Sequence, residues 1–162
     1  MVYWTWIRRH ERLFEGYVDS ITDKDKEAIR CVSDALSKTA IKENVVVARG
    51  MGGDEALTGL LNISASELEQ LLSDNPEELV GMVMRENGFL STAVDPGVNA
   101  TFKSKYELKL NVPAGTHGAY IAPVTRFEDE HELLLNKGTA FRIDAVEELP
   151  GNKYRITATV VQ

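Results

Sequence analysis

Apolar residues change their spacing once along this chain. Before about residue 88 they recur every three or four positions, the period of a helix with one buried face. From Gly88 onward they recur at every second position, the period of a strand. In the first half, residues Val2 to Tyr17 suit a helix carrying Trp6, Leu13 and Phe14. Thr22 offers an N-cap to a second helix over Lys24 to Lys38, striped by Ile29, Val32 and Leu36. The run Val45-Val46-Val47-Ala48 is apolar throughout and short, which suits a buried strand. Ser64 and Glu67 form a capping box ahead of Leu68, Leu71 and Leu72. Asn75-Pro76-Glu77-Glu78 then opens another short helix, with proline in the first turn and acids at the positive end of the dipole.

In the second half, Gly88 to Ala93 reads as a short strand. Tyr106, Leu108, Leu110 and Val112 alternate with Glu107, Lys109 and Asn111, and Pro113-Ala114-Gly115 turns the chain. Further strands are expected at Gly118 to Ile121, Glu132 to Leu135, Ala140 to Glu147 and Tyr154 to Val161. Pro150-Gly151-Asn152 supplies the last hairpin turn, and Pro123 to Asp129 is expected as an exposed loop. Helices in front of a mostly antiparallel set of strands define an α+β domain, with the N-terminal helices packed on a β-sandwich core. Neither repeats nor low-complexity linkers divide the chain. Its 162 residues therefore read as one domain, helical over 1–40 and strand-rich over 41–162.

Composition narrows the functional classes. A formal charge of −7 argues against a general electrostatic grip on nucleic acid or on an anionic membrane. No apolar run is long enough to span a bilayer, and the N-terminus lacks the ordered regions of a secretory signal, so a soluble chain is expected. The single cysteine, Cys31, flanks an apolar helical stripe and is expected to be a partly or fully buried thiol. The three histidines are scattered, which implies no metal site.

Three short motifs carry candidate chemistry. Glu130-His131-Glu132 runs into Leu133-Leu134-Leu135, and both carboxylates face one way if both lie in extended backbone. Such a pair can divide the work, one acid stabilising positive charge on a sugar and the other taking a proton from a nucleophile. Arg49, at the end of a buried strand and followed by Gly50, suits a bidentate grip on a diphosphate, although a surface ion pair is the commoner use of such an arginine. Ser91 and Thr92 put a hydroxyl pair on a strand, where one could hold a carboxylate in place.

In this order, strand-Arg-Gly, Phe-x-Ser-Thr and Glu-x-Glu-Leu-Leu-Leu resemble the arginine-serine-glutamate class of mono-ADP-ribosyltransferase toxins, in its arginine-modifying Glu-x-Glu form. The resemblance runs from about residue 25 to the C-terminus and is densest between Tyr106 and Ile143. It implies the ADP-ribosyltransferase fold, NAD as co-substrate, and transfer of ADP-ribose to a protein arginine with release of nicotinamide. Arg49 would contact the diphosphate and the Gly50 backbone the nicotinamide amide. Ser91 would position Glu132, and Thr92 would support the nicotinamide side of the pocket. Glu132 would be the catalytic glutamate and Glu130 the acid that serves the acceptor. Phe127 would touch the target protein, and Phe102 would stack on nicotinamide or else fill the core. Three departures stand out: Ala93 replaces a frequent third hydroxyl, Ala48 replaces a frequent aromatic, and Glu15-Gly16-Tyr17 only hints at the helix signature of many toxins.

The expected protein is therefore a monomeric toxin or effector domain, or a phage-borne enzyme, secreted or injected and acting in the cytoplasm of a target cell. Its partners would be NAD, a target protein and, in one setting, an immunity protein. An NAD glycohydrolase would share the whole site. A catalytically dead module that binds a partner is the non-enzymatic alternative.

Overall fold

A computed structural model describes residues 22–94, 104–121 and 131–162. The expected helix over Val2 to Tyr17 and the loop Pro123 to Asp129 lie outside the described residues. So do Phe102, Phe127 and Glu130.

Helix α1 spans Asp23–Ser37 and starts where Thr22 was expected to cap it. The Thr22 hydroxyl accepts from the Asp25 backbone, and the Asp25 carboxylate accepts from the Thr22 backbone, so two otherwise orphaned N–H groups are satisfied. Ile29 and Leu36 of the stripe are buried. Cys31 is not; it lies on the exposed flank beside Glu27, which corrects the expectation of a buried thiol. The Ile29–Val32–Leu36 stripe is too narrow to take in the position before Val32.

Strand β1 spans Val45–Met51, so Arg49 and Gly50 lie inside the strand and not just beyond it. Two further helices follow. Helix α2 (Asp54–Leu61) has no counterpart in the expectations above, since the glycines at 52 and 53 mask its start. Acids at 54 and 55 and a left-handed Asn62 at its end are the signals that mark it. Helix α3 (Ala65–Asp74) begins at the Ser64 cap, and a 3-10 turn over Pro76–Leu79 begins where Asn75 accepts from the Glu77 backbone. The remaining strands are β2 (Val83–Arg85), β3 (Leu90–Ala93), β4 (Tyr106–Val112), β5 (Gly118–Tyr120), β6 (Glu132–Leu135), β7 (Ala140–Leu149) and β8 (Lys153–Val160).

All eight strands join one hydrogen-bonded sheet in the order β2-β7-β8-β4-β1-β3-β6-β5. The α+β class and the mostly antiparallel pairing are as expected, with β4 and β8 the parallel pair. The expected alternation on β4 is complete: Tyr106, Leu108, Leu110 and Val112 are buried, and Glu107, Lys109 and Asn111 are less so. The final hairpin turns through Gly151 and Asn152, both at positive φ, which suits the right-handed twist of the strands it joins.

Two apolar clusters cover the sheet. The larger packs α2, α3 and the 3-10 turn against one face, including Leu57, Leu68, Leu79, Leu108, Leu110, Leu133 and Leu135. The smaller packs Ile29 and Leu36 of α1 with Phe89, Ile121 and Leu134. All four residues of β6 are buried for this reason: successive side chains meet opposite layers. β5 completes the edge beside it, and Gly118 is required there. A Cβ at Gly118 would lie 2.7 Å from Leu135 Cδ2 and 2.8 Å from the Leu134 carbonyl oxygen.

One polar anchor ties α2 to the sheet. Lys105 Nζ and the Tyr106 hydroxyl donate to the same Asp54 oxygen, at 2.6 and 2.5 Å. The Lys105 contact first, and then Tyr106, hold the Asp54 carboxyl below its ordinary range, while burial and Asp54 push the Tyr106 phenol up. A depressed carboxyl stabilises the fold above its unfolded pKa, and that contribution disappears as pH falls through the folded value. The stability difference between wild type and Asp54→Asn is therefore expected to shrink between about pH 5 and pH 3, as followed by urea unfolding. In the core, Leu110→Ala is expected to cost about 2–5 kcal/mol at neutral pH, read from the shift in urea midpoint.

Candidate active site

The centre of the site is a contact between two neighbouring strands. β3 and β6 pair antiparallel with Ala93 opposite Glu132, Thr92 opposite Leu133 and Ser91 opposite Leu134. Residues directly opposite share a face, so Ser91, Ala93, Glu132 and Leu134 point one way, toward the layer that α1 covers. Ser91 and Glu132 are diagonal neighbours on that face, close enough for a short hydroxyl to meet a longer carboxylate. The Ser91 hydroxyl donates to Glu132 Oε1. Glu132 is only 7% exposed, so its carboxylate sits at the mouth of the apolar layer and needs such a donor.

Thr92 faces the other way. Its buried hydroxyl donates to the Leu133 carbonyl at 2.9 Å and pins β3 to β6 from behind. The two hydroxyls of the Ser-Thr pair thus do separate jobs, one touching the acid and the other holding the strands that carry it.

Glu132 is also fixed through its backbone. Its carbonyl accepts from Ile121 N at 2.9 Å, and the His131 carbonyl accepts from Val94 N at 3.0 Å. β6 begins at Glu132, and His131 before it has φ of +43°, so the chain leaves the strand in left-handed backbone. The strand therefore begins at Glu132, and the face taken by Glu130 lies outside the described residues. A histidine that breaks the strand looks, in sequence, like any strand residue. Tyr120 went unassigned for a similar reason: its hydroxyl meets His131 Nδ1 at 2.9 Å, a contact across eleven residues that no local pattern announces.

Arg49 lies beside this unit. Ala48 of β1 stands opposite Ala93 of β3, which stands opposite Glu132, so the three form one row across the sheet. With strands about 4.8 Å apart, the row places the β1 backbone about 10 Å from that of Glu132. Arg49 and Gly50 follow directly after Ala48. The Arg49 side chain is half-buried, with one guanidinium nitrogen withdrawn from solvent. Across β4, Arg49 is paired with Leu108 and Gly50 with Glu107. Among the described residues, no group of three or more His, Cys, Asp or Glu could hold a metal ion.

The fold that carries these side chains has known counterparts. The family model for ADP-ribosyltransferase exoenzymes matches residues 12–162. The chain belongs to that family. It is 27% identical over 128 residues to an NAD(+)--arginine ADP-ribosyltransferase, EFV, of Enterococcus faecalis, covering 75% of this chain and 22% of that protein. The chain thus spans about a fifth of the length of this curated relative. Among solved structures, Plx2a, an ADP-ribosyltransferase toxin from Paenibacillus larvae, superposes with a TM-score of 0.74 at 25% identity, over 98% of this chain and 80% of that one. C3stau2 from S. aureus, solved with NAD, gives 0.70 at 26% identity, over 98% and 79%. The expected family and fold are both met.

The separate jobs of the two hydroxyls give different expected losses. Ser91→Ala removes the donor to Glu132 and is expected to cut NAD turnover about tenfold or more, with Tm falling as well because the buried carboxylate loses its donor. Thr92→Val removes the pin between strands and is expected to lower Tm by a few degrees with a smaller loss of turnover. Parallel NAD turnover assays and thermal melts check both.

Proposed function

We propose that this chain transfers ADP-ribose from NAD to an arginine side chain of a protein acceptor. The observation that carries the reading is the buried Glu132 carboxylate on β6 held by Ser91 of β3, the strand that lies between β6 and β1 with its Arg49. Cleavage of the bond between ribose C1′ and the nicotinamide nitrogen sends the electron pair to nicotinamide, which leaves neutral, and leaves positive charge on the ribose. A fixed carboxylate beside that ribose stabilises the charge as it develops, without having to reorganise. Glu132 supplies it. Arg49 is assigned the grip on the diphosphate through its planar fork, and the Gly50 backbone is assigned to the nicotinamide amide. This is the fit of the site to NAD, which the relatives named above share by name or by bound ligand.

The acceptor guanidinium is protonated at physiological pH and has no free pair to offer until a base removes a proton. Glu130 is assigned that role: it takes the proton as nitrogen bonds to C1′. The Glu-x-Glu spacing in the sequence and the arginine-directed name of the Enterococcus relative support an arginine acceptor. Phe127 is assigned to contact with the target protein. Phe102 is assigned to the nicotinamide face of the pocket. The toxin membership of the relatives supports action inside a target cell, and no described helix is long and apolar enough to cross a membrane.

Three substitutions test the assignments. Glu132→Gln keeps the shape and loses the charge, so transfer and NAD hydrolysis should both fall by about 100-fold or more with the fold intact. A residual rate within about threefold of wild type would sink the role of Glu132. Arg49→Ala should chiefly weaken NAD affinity, measured by calorimetry, because the diphosphate contact is present in ground and transition states alike. Glu130→Gln should separate the activities: transfer to arginine is lost while nicotinamide release to water persists. Equal loss of both would place Glu130 in the NAD pocket and remove the argument for arginine.

A further inference from the structure

The residue that joins the two acids is held in an unusual way. His131 occupies left-handed backbone, a region where a Cβ crowds the carbonyl and which residues other than glycine, asparagine and aspartate enter infrequently. It is exposed, so core packing does not hold it there. Three hydrogen bonds do. Val94 N donates to the His131 carbonyl, Ile121 N donates to the Glu132 carbonyl, and the Tyr120 hydroxyl meets His131 Nδ1 at 2.9 Å. The first two belong to the sheet ladder and fix only the side of His131 that continues into β6. The third reaches the side chain of the turning residue itself.

Tyr120 is as unusual in its setting. It sits on β5, the edge strand, opposite Leu133, and 47% of it is exposed. A large aromatic side chain at an open edge contributes little to the core. Its polar end is spent on His131, on the face of the β5–β6 pair opposite to Ser91 and Glu132. The acid is therefore braced from two sides, by Ser91 at its carboxylate and by Tyr120 through the residue just before it.

We propose that the Tyr120–His131 hydrogen bond is a positioning device for attack by the acceptor: it fixes the left-handed turn between Glu130 and Glu132 and so sets the geometry of the one step that needs both acids. The inference rests on the transferase reading above. Breaking the C1′–nicotinamide bond and its hydrolysis require Glu132, which Ser91 and the ladder already hold. Transfer to a guanidinium also draws on Glu130, assigned above as its base, which is bonded directly to the residue this hydrogen bond holds. Tyr120 and His131 are positioning residues in this account, and neither is assigned a contact with NAD.

The test measures nicotinamide release to water and ADP-ribosylation of poly-L-arginine side by side on the whole chain, with Tm recorded for each variant. Tyr120→Phe keeps the ring and removes the hydroxyl; His131→Gly keeps the left-handed turn accessible and removes the ring. Each is expected to lower the ratio of transfer to hydrolysis about fivefold or more while KM for NAD stays within about twofold, because small misplacement of a reacting group costs rate without costing ground-state binding. The double variant should fall no further than the larger single loss, since both changes delete the same bond. His131→Asn, which tolerates left-handed backbone and offers the tyrosine an amide, should recover part of the ratio. Unchanged ratios in both single variants, additive losses in the double, or losses that simply follow a drop in Tm would overturn the inference. A wild-type chain that releases no nicotinamide would instead overturn the transferase reading, and this inference with it.

Discussion

A carboxylate is costly to withdraw from water, by several kcal/mol even after relaxation, unless a donor meets it. Glu132 is withdrawn almost entirely, and the donor is Ser91. That one contact constrains much of the local architecture. The serine must stand on the neighbouring strand, on the same face and one diagonal away, so the register of β3 against β6 cannot slip. A slip of a single residue would turn Ser91 to the opposite layer and present Thr92 or Leu90 to the acid. Thr92 guards the register from behind, and Ile121 and Val94 hold the strand start from either side.

The position of Glu132 at the first residue of a fully buried strand suits the role proposed for it. Behind it, Leu133 to Leu135 are locked between two apolar layers, so the strand cannot shift to relax around a changing charge. In front of it, the chain turns away at once. The acid thus stands at the end of a rigid strand, which suits a group that must be preorganised.

Much of this was legible in the sequence where the physics is local. The alternation of Tyr106 to Val112 gave β4 residue for residue, because a half-buried strand must alternate. The caps at Thr22, Ser64 and Asn75 marked helix starts through hydrogen bonds spanning only two or three residues. The pairing of Ser91 with Glu132 spans 41 residues and came from the ordered motif set; spacing alone could not have supplied it. What stayed hidden depended on neighbours remote in sequence or on single dihedral angles. β1 runs on through Arg49 and Gly50 because β4 pairs with it along its whole length. α2 was obscured by the glycines before it, Cys31 lay just off the buried stripe, and nothing nearby signals that His131 turns left-handed or that Tyr120 meets it.

The parallel pairing of β8 with β4 has a consequence for when this sheet can exist at all. β8 is the last of the described strands in sequence, yet it lies in the interior of the sheet, between β7 and β4. Its partner positions on β4 are about fifty residues earlier, as in Tyr106 with Tyr154. Until residues 153–160 have left the ribosome, β4 presents an unpaired apolar edge and the strands bearing the site are joined to an incomplete half. Closing such a long loop is entropically slow, so a chain that has not yet added this strand exposes an open, sticky edge. How long that edge stays open follows from where one strand was inserted in the sheet.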